Sequence, residues 1–432
     1  MRTDFAHGRL ADPQLRDADA ILRACVHCGF CLATCPTYLL LGDELDSPRG
    51  RIYLAKTMLE GGKPATAPAV KHLDRCLTCL SCMTTCPSGV HYAHLIQQAR
   101  EHIERTYVRP WPERLLRRGL ATIIPNPMLF RLAALAGRLV RPVARPFTRL
   151  LRPRVRAMLT NTPRRIAGPS WVDRPQVIPA EGERRLRVVL LAGCAQQVLR
   201  PEINEATVRV LTRHGCEVVI ARGAGCCGAI LHQLEFAERA KALAVANIRA
   251  WRRELEMGDL DAIVFNASGC GVAIRDYGHL LREDPEWAAP AARIAALGRD
   301  VTEVLLELGL RSSVLSEMRS VTYHAACTMQ HGLGLRTQSK ELLMQAGFDV
   351  WEPAEAHICC GSAGTYSVLQ PELSEALRER KLAAIAATAP SVVATGNIGC
   401  ITQLSAGSGA PVMHTVELLD WATGGPQPPG IE

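Results

Sequence analysis

Nowhere does the chain contain an apolar run of the roughly 18 to 20 residues needed to cross a bilayer. Even its best stretch, MLFRLAALAGRLV, is interrupted by Arg131 and Arg138. The opening MRTDFAHGRL has no apolar signal core and no cleavage site, so a cytoplasmic location is expected, with any membrane contact peripheral, at the inner face of the cytoplasmic membrane. No CxxCH occurs, which removes covalent haem. A flavin loop is missing too, as is a general-base constellation that would take a proton from a hydroxy acid; no catalytic residue is assigned. What the 432 residues do hold is a 48% hydrophobic fraction, enough for two or three cored domains, and 17 cysteines. In a reducing compartment those thiols point to metal binding or catalysis rather than disulfides.

Spacing sorts the cysteines. Cys25, Cys28, Cys31 and Cys35 precede Pro36, and Cys76, Cys79, Cys82 and Cys86 precede Pro87, so CxxCxxCxxxCP appears twice. Three thiolates two residues apart wrap one cubane, while the fourth, displaced toward the proline, serves the other cluster. This predicts two [4Fe-4S] clusters with crossed ligation: Cys25, Cys28, Cys31 and Cys86 for the first, and Cys76, Cys79, Cys82 and Cys35 for the second. Zinc, which needs four ligands per site and favours paired CxxC or Cys/His sets, fits the pattern poorly. Between the motifs, Ser47 as N-cap, Pro48 at the first helical position and apolar Ile52, Leu54, Ala55, Met58 and Leu59 before Gly61-Gly62 predict a helix. Another is expected over 92–107. Residues 1–108 therefore read as a helical two-cluster ferredoxin-like domain. His72, His91, His94 and His102 are expected to be solvated, without a ligand role.

Residues 109–185 read as a connector. Its 109–165 part carries fourteen arginines, no lysine and one acid, Glu113, giving +13 against −5 for the rest of a chain whose net charge is +8. Eight prolines chop it into short helices with apolar faces beside the arginines. A solvated link folded over its neighbours and a docking surface for a partner subunit or anionic membrane compete as readings. Nucleic acid is set aside, because little aromatic residue interleaves the arginines for base stacking.

From 186 onward, strand and helix signals alternate in two copies, 186–312 and 313–432, each implying a small parallel sheet with helices on its faces. The cysteines fix their alignment: Cys194 to Cys226 and Cys327 to Cys359 are both 32 residues, followed by Cys227 to Cys270 and Cys360 to Cys400. All eight fall at the carboxyl ends of expected strands, where ligands collect on parallel sheets. The glycines of GAGCCGAI, Gly223 to Ile230, spell a nucleotide loop, but the second copy has Ala356 and Ile358 where the first has Gly223 and Gly225. The thiols recur and the nucleotide glycines do not. Gly228 and Gly361 are expected to permit tight turns, Cys216 to pack in a core, and His324 and His357 to be structural hydrogen-bonding residues.

With these motifs, SPRGRI at 47–52, NASGCG at 266–271, CCGSAGTYSVLQPELS at 359–374 and GNIGC at 396–400, the chain resembles the iron-sulfur subunits of bacterial glycolate oxidases along essentially its whole length. Paired CCG domains also occur in heterodisulfide reductases, lactate-utilisation proteins and glycerol-3-phosphate dehydrogenase subunits. The resemblance implies an α+β multidomain chain that passes electrons from FAD-containing hydroxy-acid oxidase subunits, where glycolate becomes glyoxylate, toward a quinone or other acceptor. The basic 109–165 segment would make any membrane or quinone contact. A lactate or glycerol-3-phosphate dehydrogenase subunit and a thiol/disulfide enzyme are the other implied roles. Fuller CCG motifs end in CxxC, whereas Ala267 and Asn397 stand three before Cys270 and Cys400. Each repeat then keeps four thiols: Cys194, Cys226, Cys227 and Cys270, and Cys327, Cys359, Cys360 and Cys400. An additional iron-sulfur cluster, a zinc site and a vestigial thiol group remain open for them.

Overall fold

The computed structural model describes residues 1–144, 151–163 and 166–431. Arg145, Pro146, Arg149, Arg164 and Arg165 of the basic segment lie outside the described residues.

The N-terminal region is helical: α1 (Pro13–Ala24), α2 (Pro36–Leu41), α3 (Pro48–Gly61), α4 (Ala67–Asp74), α5 (Ser81–Thr85) and α6 (Tyr92–Thr106). Helix starts are written in the sequence. Pro36 and Pro48 open α2 and α3, and the Ser47 hydroxyl accepts the Gly50 N–H at 3.0 Å. One face of α1, α3, α4 and α6 closes on a core that includes Leu22, Leu59, Leu73, Leu95 and Ile103. Each such burial is worth about 1.5–3 kcal/mol.

Three helices follow, α7 (Trp111–Ile123), α8 (Pro127–Ala144) and α9 (Pro153–Asn161). Some of their arginines turn inward. Arg109, just before α7, reaches Asp74 at 2.6 Å and Glu235 at 2.8 Å, and Arg117 reaches Asp74 at 3.0 Å. This buried cluster ties α4, α7 and the first repeat together. The outward faces carry Leu115, Met128, Leu132, Leu135 and Leu139 beside exposed Arg114, Arg118 and Arg138. No single helix among the described residues is long and apolar enough to cross a membrane; α7 and α8 together have the composition but bend by 120°.

The first repeat holds β1 (Gln176–Ile178), β2 (Leu186–Leu190), β3 (Cys216–Ile220), β4 (Ala262–Phe265) and β5 (Gly298–Asp300), in the order β1-β3-β2-β4-β5. Only β1 runs antiparallel. The second holds β6 (Ser320–Tyr323), β7 (Asp349–Trp351), β8 (Val392–Thr395) and β9 (Val412–His414), all parallel, in the order β7-β6-β8-β9. Without β1 the two orders superpose. The repeats also exchange helices: Glu202–Arg213 packs on Thr415–Ala422, and Gln338–Gln345 packs on Val301–Leu308. One apolar core, from Val172 to Ile431, runs through both sheets, and Cys216 is fully buried in it. The architecture is thus the α+β, two-repeat arrangement expected, with the edge strands β1, β5 and β9 added. Three residues each, they are too short for alternation to announce them.

Candidate metal centres

Both N-terminal cysteine loops use the same backbone device. Cys25-Val26-His27-Cys28-Gly29 and Cys76-Leu77-Thr78-Cys79-Leu80 each place a left-handed residue before and after the second cysteine, at φ +58° and +88° in the first and +54° and +64° in the second. Non-glycine residues adopt this region at a cost of about 1–2 kcal/mol. The strain curls the chain so that N–H groups turn toward sulfur, as the Thr78 N–H does toward Cys76 Sγ at 3.4 Å. Cys25, Cys28, Cys31 and Cys86 line one small cavity, together with Cys82. The first of the expected sets is thereby gathered. Burial pushes the Cys31 thiol up to about 11, so a positive centre is needed to hold it as thiolate.

The second set is gathered by charge as much as by backbone. Arg51 of α3, 2% exposed, donates from Nε to the His72 carbonyl at 2.7 Å and from Nη2 to Asp46 at 3.1 Å, while Nη1 faces Cys35 Sγ at 3.8 Å. Burial alone would raise the Cys76 thiol. Arg51, Arg100, the Thr78 N–H and the Tyr92 hydroxyl, 3.6 Å from the sulfur, together bring it below its ordinary value. Cys79 and Cys82 go the other way, raised by burial and by neighbouring thiols: Cys327, Cys35 and Cys76 around Cys79, and Cys79, Cys76 and Cys35 around Cys82. The four thiols of this set therefore share one electrostatic neighbourhood. Cys31 acts on Cys82 as well, so the two sets adjoin.

In the first repeat Cys194 hydrogen-bonds Cys226, and Cys227 bonds both Cys226 and Cys270. The Cys226 thiol is lowered by Cys194, Cys227 and the Gly228 N–H. Asn247 braces the loop, accepting from Gly225 N at 2.8 Å and donating to the Cys226 carbonyl at 3.0 Å. In the second repeat Cys327 Sγ stands 3.7 Å from Cys359 Sγ, and Cys360 bonds Cys359 and Cys400. Gly228 and Gly361, at φ +86° and +87°, form the expected turns behind the paired cysteines.

All eight repeat cysteines line a single cavity of about 640 Å³. Leu77, Thr78 and Leu80, from the loop holding Cys76 and Cys79, form another part of its wall, and Phe130 of α8 and Met158 of α9 help cover it. Leu77 and Cys79 share one buried cluster with Ile358 and Cys359. The second N-terminal set thus abuts the second repeat.

These features have counterparts. The 4Fe-4S dicluster domain model matches residues 21–90, and the cysteine-rich CCG domain model matches 188–275 and 321–405. The glycolate oxidase iron-sulfur subunit of Escherichia coli K12 is 41% identical over 98% of this chain and 99% of its own length. This chain belongs to the family of glycolate oxidase iron-sulfur subunits. The probable glycolate oxidase iron-sulfur subunit of Bacillus subtilis 168 is 33% identical over 89% of this chain and 88% of its own. Lactate utilization protein A of the same species is 28% identical over 54% of this chain. A hypothetical protein from Helicobacter pylori shares the fold, with a TM-score of 0.53 at 10% identity over 98% of this chain and 74% of that one.

As a glycolate oxidase-type iron-sulfur subunit, the chain carries [4Fe-4S] clusters and is part of an oxidoreductase complex. Its N-terminal donors fit that cofactor: two groups of thiols, met by N–H, O–H and guanidinium donors. Two expectations for the histidines need correction. His72 is buried, its Nδ1 3.1 Å from Asp46. His94 is not solvated either, but stacks on His91 and His279 and bonds Asp276 at 2.9 Å, holding α6 to the first repeat. His324, expected as a structural hydrogen-bonding residue, is 1% exposed; neither ring nitrogen meets an oxygen or nitrogen, and the ring bonds the Cys360 thiol beside Cys400. Arg51 and Arg100 escaped sequence reasoning, although an arginine inside SPRGRI between two cluster motifs was a usable signal.

Proposed function

We propose that the chain is the electron-transfer subunit of a glycolate-oxidising complex, taking electrons from an FAD-bearing partner that converts glycolate to glyoxylate and delivering them to an apolar acceptor such as a quinone. When bound, [4Fe-4S] clusters supply one-electron transfer. Cys25, Cys28, Cys31 and Cys86 would hold the first and Cys35, Cys76, Cys79 and Cys82 the second. The observation that carries the reading is continuity: the first set reaches the surface at exposed Cys28, flanked by Val26 and Phe30 at 67% and 62% exposure, and the second set's loop walls the large cavity. A partner would dock on the first edge, and an acceptor would enter the second.

Around this path the side chains do electrostatic work. Arg51 and Arg100 favour extra negative charge at the second set, which raises its potential and favours electrons arriving there. The apolar, arginine-fringed faces of α7 and α8 suit an anionic membrane surface. Replacing Cys79 with Ser in the assembled complex should reduce glycolate-dependent dye reduction to background while flavin reduction persists; unchanged dye reduction would sink the route. Vesicle flotation checks the membrane part. Wild type should float with anionic liposomes, and Leu115→Ser/Leu132→Ser/Leu139→Ser should remain at the bottom.

A further inference from the structure

The second repeat differs from the first at one position whose chemistry is unspent. Three residues before the leading cysteine stands Leu191 in the first repeat and His324 in the second. His324 lies at the end of β6, its backbone N–H paired with the Ala394 carbonyl at 2.8 Å, which fixes the residue and leaves the ring to the Cys360–Cys400 pair. That ring is buried with neither nitrogen bonded to oxygen or nitrogen, and it meets the Cys360 thiol. One ring nitrogen, Cys360 Sγ and Cys400 Sγ lie within 4.8 Å of one another. Cys327 and Cys359, 3.7 Å apart, adjoin them.

We propose that the second repeat holds one tetrahedral metal ion of the zinc class, ligated by His324, Cys360, Cys400 and a fourth thiolate from the Cys327–Cys359 pair. With metal–sulfur bonds of about 2.3 Å and metal–nitrogen bonds of about 2.0–2.1 Å, donors around one tetrahedral ion stand about 3.5–3.8 Å apart. His324, Cys360 and Cys400 are gathered within 4.8 Å of one another, and Cys359 bonds Cys360 beside them. A cubane distributes its thiolates over separate irons and holds them farther apart. A mixed nitrogen and sulfur donor set is also a zinc signature. Asn397, which takes the place of a fifth cysteine, donates to Cys400 Sγ at 3.6 Å and so orients a ligand instead of supplying one. The first repeat lacks an imidazole at the matching place. The ion is redox-silent, so it fixes the cavity wall beside the second N-terminal set and carries no electron; the inference is independent of the electron route.

The test is metal analysis and zinc-edge X-ray absorption on the full-length chain purified without oxygen. Wild type should contain about one zinc per chain with a sulfur-plus-nitrogen shell. His324→Ala should lose the zinc while its iron content and the reduced-cluster resonance signals stay at wild-type levels. His324→Cys should keep the metal with an all-sulfur shell, which separates lost ligation from lost folding. Wild type without zinc, or His324→Ala with full zinc and the nitrogen still in its shell, would overturn the proposal. Failure of electron transfer with this zinc in place would count against the route alone.

Discussion

The first and second cysteine-rich repeats share strand order, thiol spacing and even the device that ends them, yet differ in what stands beside each shared position. Both close with a short edge strand and an eight-residue helix begun by a capping box: Asp300 with Glu303 in one, His414 with Glu417 in the other. Both turn sharply after a cysteine pair, at Gly228 and Gly361. The lowered thiol, however, is Cys226, the first of its pair, in one repeat and Cys360, the second of its pair and neighbour to His324, in the other. Duplication preserved the backbone. Side-chain chemistry then diverged where the backbone was indifferent to it.

The largest test of that divergence is pH. Burial raises Asp300 to about 6, so its folded form holds a proton the unfolded chain releases. Its contribution to stability is present below 3.8 and is lost as pH rises through about 6. His414 is opposite: burial lowers it to about 4, its Nε2 donating to the Asn266 carbonyl at 2.7 Å and its Nδ1 accepting from Val416 N at 3.1 Å. Its contribution is present above 6.5 and is lost as pH falls through about 4. Between about pH 4 and 6.5 the two caps therefore cancel in part, each being worth up to about 3 kcal/mol. Asp300→Asn should make stability rise more steeply with pH, and His414→Asn should make it fall, measured as urea midpoints by tryptophan fluorescence. Parallel responses would break the comparison.

Next in size are the turns. A Cβ at Gly361 would stand 2.5 Å from the Ser374 carbonyl oxygen, against 3.1 Å from that of Ala240 at Gly228. Both substitutions meet the left-handed penalty of about 1 kcal/mol, but Gly361→Ala forces backbone apart much further than Gly228→Ala does. It should destabilise by about 2–3 kcal/mol and Gly228→Ala by about 1, read from anaerobic urea melts. Equal losses would mean the second turn relaxes.

Which of these features the sequence announced follows from their range. Ser47 and Pro48 mark a helix start locally, and the 32-residue cysteine spacing aligns the repeats without any knowledge of contacts. Turn glycines are equally local. The fate of His72 depends on Asp46, twenty-six residues away, and that of His94 on Asp276 and His279 in another domain, so polarity alone placed them in solvent. Arg109 and Arg117 belong to a run whose composition reads as a solvated link or a docking surface, yet the buried carboxylates of Asp74 and Glu235 draw them inward. Burial of a charge is set by its partner, and partners distant in sequence are invisible to a pattern.

The smallest expected effect lies at the positions where a fifth cysteine is absent. Asn397 donates to Cys400 Sγ, whereas Ala267, its counterpart, has nothing to donate, and the neighbouring Asn266 is committed to Asn204 and Thr207 at 3.0 and 2.8 Å. Asn397→Ala converts the second site to the first repeat's arrangement at this point while leaving all its thiols in place. A hydrogen bond to a metal-bound sulfur stabilises the charged ligand and typically accounts for about tenfold in metal affinity. Asn397→Ala should therefore weaken zinc binding by about tenfold in chelator competition, without altering the nitrogen-and-sulfur shell. Ala267→Asn should leave zinc binding at the second site unchanged, since it lies in the other repeat. If Asn397→Ala instead abolished binding, Asn397 would be holding the loop rather than tuning the sulfur, and the two repeats would differ in architecture as well as in chemistry.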